Sequence, residues 1–413
     1  VPPAGDAHRG AGALAPSESA GDACLTLEPV RVLQVGKFYF PVPGGMETAL
    51  QHLCEELRHH VELHVLVANT RPKTVTEWVN GVPVTRAARW GHIASQPLCP
   101  SLPRLLAEHR ADILHLHEPN PMATIATLAA NPHARVIISF HSEVIRQRVL
   151  RRFYRPFLER LLRRADRIIV ATPRHLDSPS LRPYREKCVL IPFGIDVARF
   201  HPTEELRARA EALRARWGSP LILFVGRLVY YKGVEHAIAA MMRTPARLLI
   251  IGRGPRERRL RRRVRALGLE DRVIFLGEIA HDQLPAYYQA CEFLVLPSTC
   301  ESETFGIVQL EAMASGKPVI STRLPTGVSW VNRHGVTGLL VPPADAEALA
   351  DAMNRLLEDD ALRRRMGEAA RRYAHARFTR QRMARRILSL YEDVLFGARR
   401  KAHSLSTEGS SDE

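Results

Sequence analysis

Short apolar runs alternate with helical stretches along this chain, and the alternation starts twice. Few folds satisfy that pattern. A strand, a helix and a second strand close a parallel sheet whose two faces are covered. In the first half the runs are Val30–Val35, Leu63–Ala68, Ile113–His117, Val136–Phe140 and Ile168–Ala171, with a helix expected over Glu47–His60. The segment Pro192–Pro202 (PFGIDVARFHP) interrupts the rhythm and reads as a linker. The runs then resume at Leu221–Gly226, Leu248–Ile251, Val273–Leu276, Phe293–Leu296 and Val319–Ser321. The expectation is α/β, as two doubly wound, Rossmann-like units facing each other across a cleft, with ligands at the carboxyl ends of the strands. Residues 28–200 form the first unit and 201–376 the second. An amphipathic helix over 377–396 is free to return to the first unit. The small and polar residues of 1–27 and 397–413 read as flexible tails.

A chain of 413 residues suits two such units, and 46% hydrophobic residues supply two cores. No run approaches 18 uninterrupted apolar residues, so no membrane-spanning helix is expected. The six cysteines are scattered without a C-x-x-C pair. They read as unpaired thiols of a cytosolic protein. The formal charge is +16, yet only 6 of the 59 basic residues are lysines. Such a skew weakens any single arginine as a signal. A positive surface still attracts nucleic acid, anionic lipid or phosphorylated substrates.

Two carboxylates, Glu303 and Glu311, stand eight positions apart around an expected helix start in PSTCESETFGIVQLEAMASGKPVIST. Helix starts expose free N–H groups and a partial positive charge, so they accept a diphosphate. Glu311 falls about five residues into the helix, about 7 Å along it at 1.5 Å per residue. Carboxylates so placed would hold hydroxyls at the two ends of the diphosphate, a sugar at one end and a ribose at the other. Gly226-Arg227 ends a strand, and Lys232-Gly233 follows. Two cations at a strand end would neutralise the diphosphate and stabilise its departure. The alternative for either alone is solvated surface.

Gly44-Gly45 lies between the first strand and the first helix, where glycine lets the backbone approach a bound group. It is not G-x-G-x-x-G, and the alternative is a plain turn. His141 closes a strand, placed to hydrogen-bond a sugar hydroxyl, with packing as the alternative. His115 reads as structural, and His117 is left open. Arg146–Arg164 carries eight arginines among aromatic and aliphatic residues. Arg148, Arg151, Arg152, Phe153 and Arg155 would let it lie on an anionic membrane, with Pro156 kinking or splitting it. The alternative is a core-facing helix with a solvated arginine face, the reading given to Arg256–Arg265. No D-x-D triplet is present. A metal bridging a diphosphate usually wants such carboxylates. No metal or other cofactor is therefore expected, with Arg227, Lys232 and helix amides in the cation's place.

Together these residues resemble the retaining family-4 (group 1) glycosyltransferases of GT-B architecture. The motifs are Glu303-Thr-Phe-Gly-Ile-Val-Gln-Leu-Glu311, Gly226-Arg-Leu with Lys232-Gly233, Gly44-Gly45, Gly194-Ile-Asp196 with Phe200, and Thr337–Pro343. The resemblance spans about residues 30–396 and implies roles. Glu303 contacts donor-sugar hydroxyls and Glu311 the ribose. The amides of Phe305, Gly306 and Ile307 contact the sugar or diphosphate, and Arg227 and Lys232 hold the diphosphate. Gly45 belongs to the donor side and Gly44 to the acceptor side. His141 faces the reacting sugar. Phe193 stands where the family usually has Asn, and Thr304 replaces the commoner Gly. Neither position is assigned a role.

A narrower similarity, carried by FHSEVIRQ, RFYRPFLERLLRRADRIIVATP and GRLVYYKG, is to bacterial mannosyl- and rhamnosyltransferases of polysaccharide assembly. It implies GDP-mannose as donor and a polyprenyl-diphosphate-linked oligosaccharide as acceptor, on the cytoplasmic face of the cell membrane. A UDP-hexose donor is the variant. A nucleic-acid-binding protein, suggested by a pI near 10.1, lacks any recognised module. A dinucleotide-dependent oxidoreductase lacks the glycine fingerprint.

Overall fold

The structure, a computed structural model, describes residues 29–42, 44–93, 96–143 and 148–408, and side chains other than those of 148–151 and 398–408. The 1–27 segment, Arg146, residues 409–413 and the side chains of Arg148 and Arg151 therefore lie outside the described residues. The first half builds β1 (Arg31–Val35), β2 (Glu62–Ala68), β3 (Val75–Val79), β4 (Val82–Ala87), β5 (Gly91–Ile93), β6 (Gln96–Leu98), β7 (Ile113–Glu118), β8 (Arg135–Phe140), β9 (Arg167–Val170) and β10 (Cys188–Leu190). The second builds β11 (Leu221–Val225), β12 (Arg247–Ile251), β13 (Val273–Gly277), β14 (Phe293–Leu296), β15 (Val319–Thr322) and β16 (Gly338–Val341).

Eight strands form one sheet in the order β10-β9-β8-β7-β1-β2-β4-β3, and six form another in the order β13-β12-β11-β14-β15-β16. The second sheet is parallel throughout. The first is parallel except for β3, which runs antiparallel to β4 at the edge. The parallel sheets expected from the sequence are present, and β3 is an added antiparallel edge strand. Thr76, Glu77 and Trp78 of Val75–Val79 are exposed and its two ends are half-buried, so it lacks the continuous apolar run that marks a strand covered on both faces. β11 (LILFV) and β14 (FLVL) have that run and are buried at every position.

Two segments cross between the units. Ile195 and Phe378 pack in the second unit's core, and the backbones join side by side, Ile195 N–H to Phe378 O at 2.8 Å and Arg380 N–H to Ile195 O at 3.0 Å. Gly194 is required there, because a Cβ would strike the Thr379 carbonyl. The last helix spans Arg380–Glu408. It begins three residues later than the expected 377 and runs through most of the segment read as a tail, which is a correction. Met383, Ala384, Ile387, Leu390 and Tyr391 recur at helical spacing and are buried with Leu50, Leu53, Cys54 and Leu57 of the first helix. The chain's last helix thus completes the core of its first unit.

The helix Arg148–Arg164 runs on through Pro156 and is not split. Among the described residues no helix is long and apolar enough to cross a membrane, and the five described cysteines are free thiols.

Candidate active site

Among the parallel strands the order reverses once in each sheet, between β1 and β7 in the first and between β11 and β14 in the second. Beyond the carboxyl ends of such strands a crevice opens. Arg227 and Lys232 follow β11. Glu303 and the helix Ile307–Ala314 follow β14. All of the expected donor-binding residues except Gly45 are thus set at the switch point by topology alone.

Loop geometry then brings two of them into contact. Gly233 has a left-handed backbone, φ 62°, and a Cβ there would strike the Pro297 carbonyl. Thr299 N–H donates to Tyr231 O at 2.8 Å. Clamped in this way, Lys232 is buried, and its Nζ lies 2.6 Å from Glu303 Oε2, which also accepts from Ser298 Oγ at 2.9 Å. The crevice-facing cation expected at Lys232 is here an ion pair with the first motif carboxylate. Arg227 is exposed.

Gly306 caps the Ile307–Ala314 helix at φ 73°, where a Cβ would lie 2.6 Å from Leu296 Cδ2. The first-turn amides of this helix lack partners within it and carry the positive end of its dipole. Glu311 is the fifth residue, buried, and accepts from Tyr288 O–H at 2.5 Å. Burial, then the Glu311 charge, hold the Tyr288 phenol well above its usual range. The two carboxylates therefore flank the helix start, each positioned by a neutral donor.

From the first unit, His141 follows β8. It is buried, its ring stacked on His117 with centroids 5.3 Å apart and on Phe193 at 5.3 Å. His141 Nε2 is 3.0 Å from His117 Nδ1, and His175 Nε2–H donates to the His141 carbonyl at 3.2 Å. Burial, with His117 and His175 adding to it, pushes the His141 imidazolium form well down. Phe193 meets Phe305 edge-on at 5.0 Å. Phe193 was assigned no role. It in fact links His141 to the residue before Gly306. Thr304, set aside in the same way, accepts from Gly327 N–H at 2.8 Å. A Cβ on Gly327 would also meet Thr172 Cγ2 of the first unit at 2.6 Å.

Gly45 is the first residue of the helix Gly45–Leu57, with open space around its Cβ position. Gly44 is the tight one, since a Cβ there would strike the Glu47 carboxylate. Burial raises the pKa of Glu47, while its own amide, Lys37 and Arg227 lower it. Burial lowers that of Lys37, Glu47 raises it and Arg227 lowers it. Lys37 and Glu47 of the first unit thus share a field with Arg227 of the second. On the arginine-rich helix, Arg152 and Arg155 are exposed, as are Phe153 (71%) and Phe157 (44%), while Tyr154, Leu158, Leu161 and Leu162 are buried. Among the described residues no group of three or more His, Cys, Asp or Glu is placed to hold a metal ion.

Sequence reasoning missed Lys37, Glu47, Ser298, Tyr288, His175 and the role of Phe193, and left His117 open. Only Gln34, a polar residue inside the buried run RVLQV, carried a signal, because a buried amide must find partners.

Comparison with known proteins meets this geometry. The model for glycosyl transferases group 1 matches residues 208–373, and that for glycosyltransferase family 4 matches 43–199. The O-antigen chain mannosyltransferase C of Escherichia coli is 32% identical over 371 residues, covering 89% of this chain and 99% of that protein. The chain belongs to the group 1, family 4 glycosyltransferases. A second relative of this glycosyltransferase is D-rhamnosyltransferase WbpZ of Pseudomonas aeruginosa, 35% identical over 83% of this chain and 90% of that one. Sucrose-phosphate synthase (tll1590) from Thermosynechococcus elongatus superposes with TM-score 0.74 at 26% identity, over 89% of this chain and all of that one. Anabaena Alr3699/HepE in complex with UDP gives the same TM-score at 21% identity, over 88% of this chain and all of that one. The enzyme has the GT-B fold.

Proposed function

We propose that this glycosyltransferase moves a hexose, mannose from GDP-mannose, onto a polyprenyl-diphosphate-linked oligosaccharide during cell-surface polysaccharide assembly. The anomeric configuration is retained and no metal takes part. The observation that carries the reading is the convergence at β11 and β14: a helix start flanked by Glu303 and Glu311, with Arg227 following β11 and His141 of the first unit joined to Phe305 through the ring of Phe193. The mannosyl- and rhamnosyltransferase relatives support the donor.

In this reading the first-turn amides of Ile307–Ala314 and the Arg227 guanidinium hold the diphosphate and stabilise its charge as it leaves, the main electrostatic work. Glu311 takes the ribose hydroxyls in place of the Tyr288 phenol. Glu303 takes sugar hydroxyls, and Lys232, released in part from Glu303, turns toward the phosphates. The acceptor hydroxyl enters on the face the diphosphate leaves, and a phosphate oxygen receives its proton. His141 positions the sugar. The exposed Arg152, Phe153, Arg155 and Phe157 rest on the anionic inner face of the cell membrane, where the acceptor lipid is embedded.

A donor panel tests the reading. At a hundred times Kd, a ligand adds about 2.7 kcal/mol to stability. GDP-mannose is expected to raise the melting temperature of the wild type, and Glu311→Ala to lose most of that rise. Incubated with membranes, GDP-[14C]mannose is expected to label an organic-extractable lipid. Stabilisation by UDP-hexoses alone would replace the donor, and no stabilisation by any nucleotide-sugar would overturn the site.

A further inference from the structure

Behind His141 runs a continuous line of hydrogen bonds. Tyr391 of the last helix accepts from Gln34 Nε2 at 2.9 Å. Gln34 Oε1 is 2.9 Å from His117 Nε2, and His117 Nδ1 is 3.0 Å from His141 Nε2. On its other side Tyr391 O–H is 2.7 Å from His115 Nδ1, and His115 Nε2 is 2.8 Å from Ser139 Oγ. Every member is buried. We infer that Gln34 and Tyr391 are positioning residues for sugar transfer: acting through His117, they fix which ring nitrogen of His141 carries its hydrogen.

The assignment follows from donor and acceptor counting. An amide oxygen only accepts and an amide nitrogen only donates. With Gln34 Oε1 facing it, His117 Nε2 must carry a hydrogen. A neutral imidazole has one N–H, so His117 Nδ1 accepts and His141 Nε2 donates. The lone pair of His141 is then at Nδ1. Burial, the largest cause in each case, keeps these rings neutral. His115 is pushed down to about 3, and His117 and His141 well below the usual histidine range.

Turning the Gln34 amide end for end would reverse the line. His117 would carry its hydrogen on Nδ1, and His141 would present N–H at Nδ1. Gln34 and Tyr391 thus form a two-position element that decides whether His141 offers an acceptor or a donor. The inference rests on the reading of His141 as the residue facing the sugar. There an Nδ1 lone pair accepts from a sugar hydroxyl, and an N–H at the same atom would not. It also gives the last helix a part in the site, since Tyr391 reaches the line from a helix that follows the whole second unit.

The test is nitrogen-15 spectroscopy of the full chain with labelled histidine, the His141 signals being identified by their loss in His141→Gln. Wild type is expected to show one His141 tautomer, with hydrogen on Nε2. Tyr391→Phe removes one hydroxyl three hydrogen bonds from His141 along the line, and is expected to give a mixture of tautomers at His141. Gln34→Glu, whose carboxylate accepts from both His117 and Tyr391, is expected to keep the wild-type tautomer. With GDP-mannose as substrate, Tyr391→Phe is expected to lower kcat in proportion to the fraction of His141 that has lost its Nε2 hydrogen, about twofold for an equal mixture, with KM for the donor nearly unchanged. A His141 spectrum identical in wild type and Tyr391→Phe, or wild-type hydrogen on Nδ1, overturns the inference. The spectrum needs no substrate, so its outcome does not depend on the choice of donor.

Discussion

Lys232 and Glu303 hold each other in a mostly buried pair at 2.6 Å. Removing one partner strands the other's charge in a poorly solvated place, which costs about 3–5 kcal/mol, whereas the intact pair adds little net stability. Lys232→Ala is therefore expected to lower unfolding free energy by about that much in urea titrations, and Lys232→Met with Glu303→Gln to recover most of it. Both forms are expected to lose donor-induced stabilisation. A fall below about 1 kcal/mol for Lys232→Ala would show the pair to be solvated. Motif spacing named the residues of the candidate site, and the fold sets Arg227, Lys232, Glu303 and Glu311 after the two strands of one switch point. The pairing was not legible, because it depends on Gly233 pressing against Pro297 across 64 positions of sequence. Phe193 was misjudged for the same reason. A single residue in a linker says nothing of the two rings, His141 and Phe305, that it meets after folding.

Among elements, the last helix bears most on stability. Ile387 is 2% exposed in the first unit's core, and Ile387→Ala is expected to cost about 2–5 kcal/mol, read by urea denaturation. A cost near zero would mean that the helix is only loosely docked. Its amphipathic spacing was visible in the sequence. Its destination was not, since many apolar grooves accept such a face. The arginine-rich helix makes a different prediction. Arg152, Arg155, Arg160 and Arg163 are exposed, and each cation near an anionic surface contributes about 1 kcal/mol. Replacing all four by Gln should weaken sedimentation with phosphatidylglycerol vesicles by roughly a thousandfold at low salt and leave donor-induced stabilisation unchanged. Equal binding by both forms would remove this helix from the membrane. The ten strands read from apolar runs lie within one residue of their observed ends, whereas β4, β5, β6, β10 and β16 were not read, being short or broken by polar residues, glycine or proline. The exposed edge strand β3 was missed because half of it faces water.

At the scale of the molecule, two parallel sheets bring their reversal points together, and that much followed from the order of strands and helices. Buried neutral histidines accompany the arrangement. His52 and His64 are pushed down to about 4 and His115 to about 3, with His117 and His141 also lowered, each chiefly by burial. Unfolding frees these rings to bind protons near pH 6.5, so the unfolded state binds more protons below that pH. Stability is therefore complete above about pH 7 and falls as pH drops from 6.5 toward 4, by up to about 1.4 kcal/mol per pH unit for each ring. Glu47 and Glu118, whose raised values act in the opposite sense, are fewer. Melting temperatures that stay level between about pH 7 and 4.5 would contradict this. The most direct measurement of the central claim is a crystal structure with GDP-mannose bound. The diphosphate is expected against the first-turn amides of Ile307–Ala314, with the ribose at Glu311 and the mannose between Glu303 and His141. Nucleotide density elsewhere, with this helix start left empty, would contradict it.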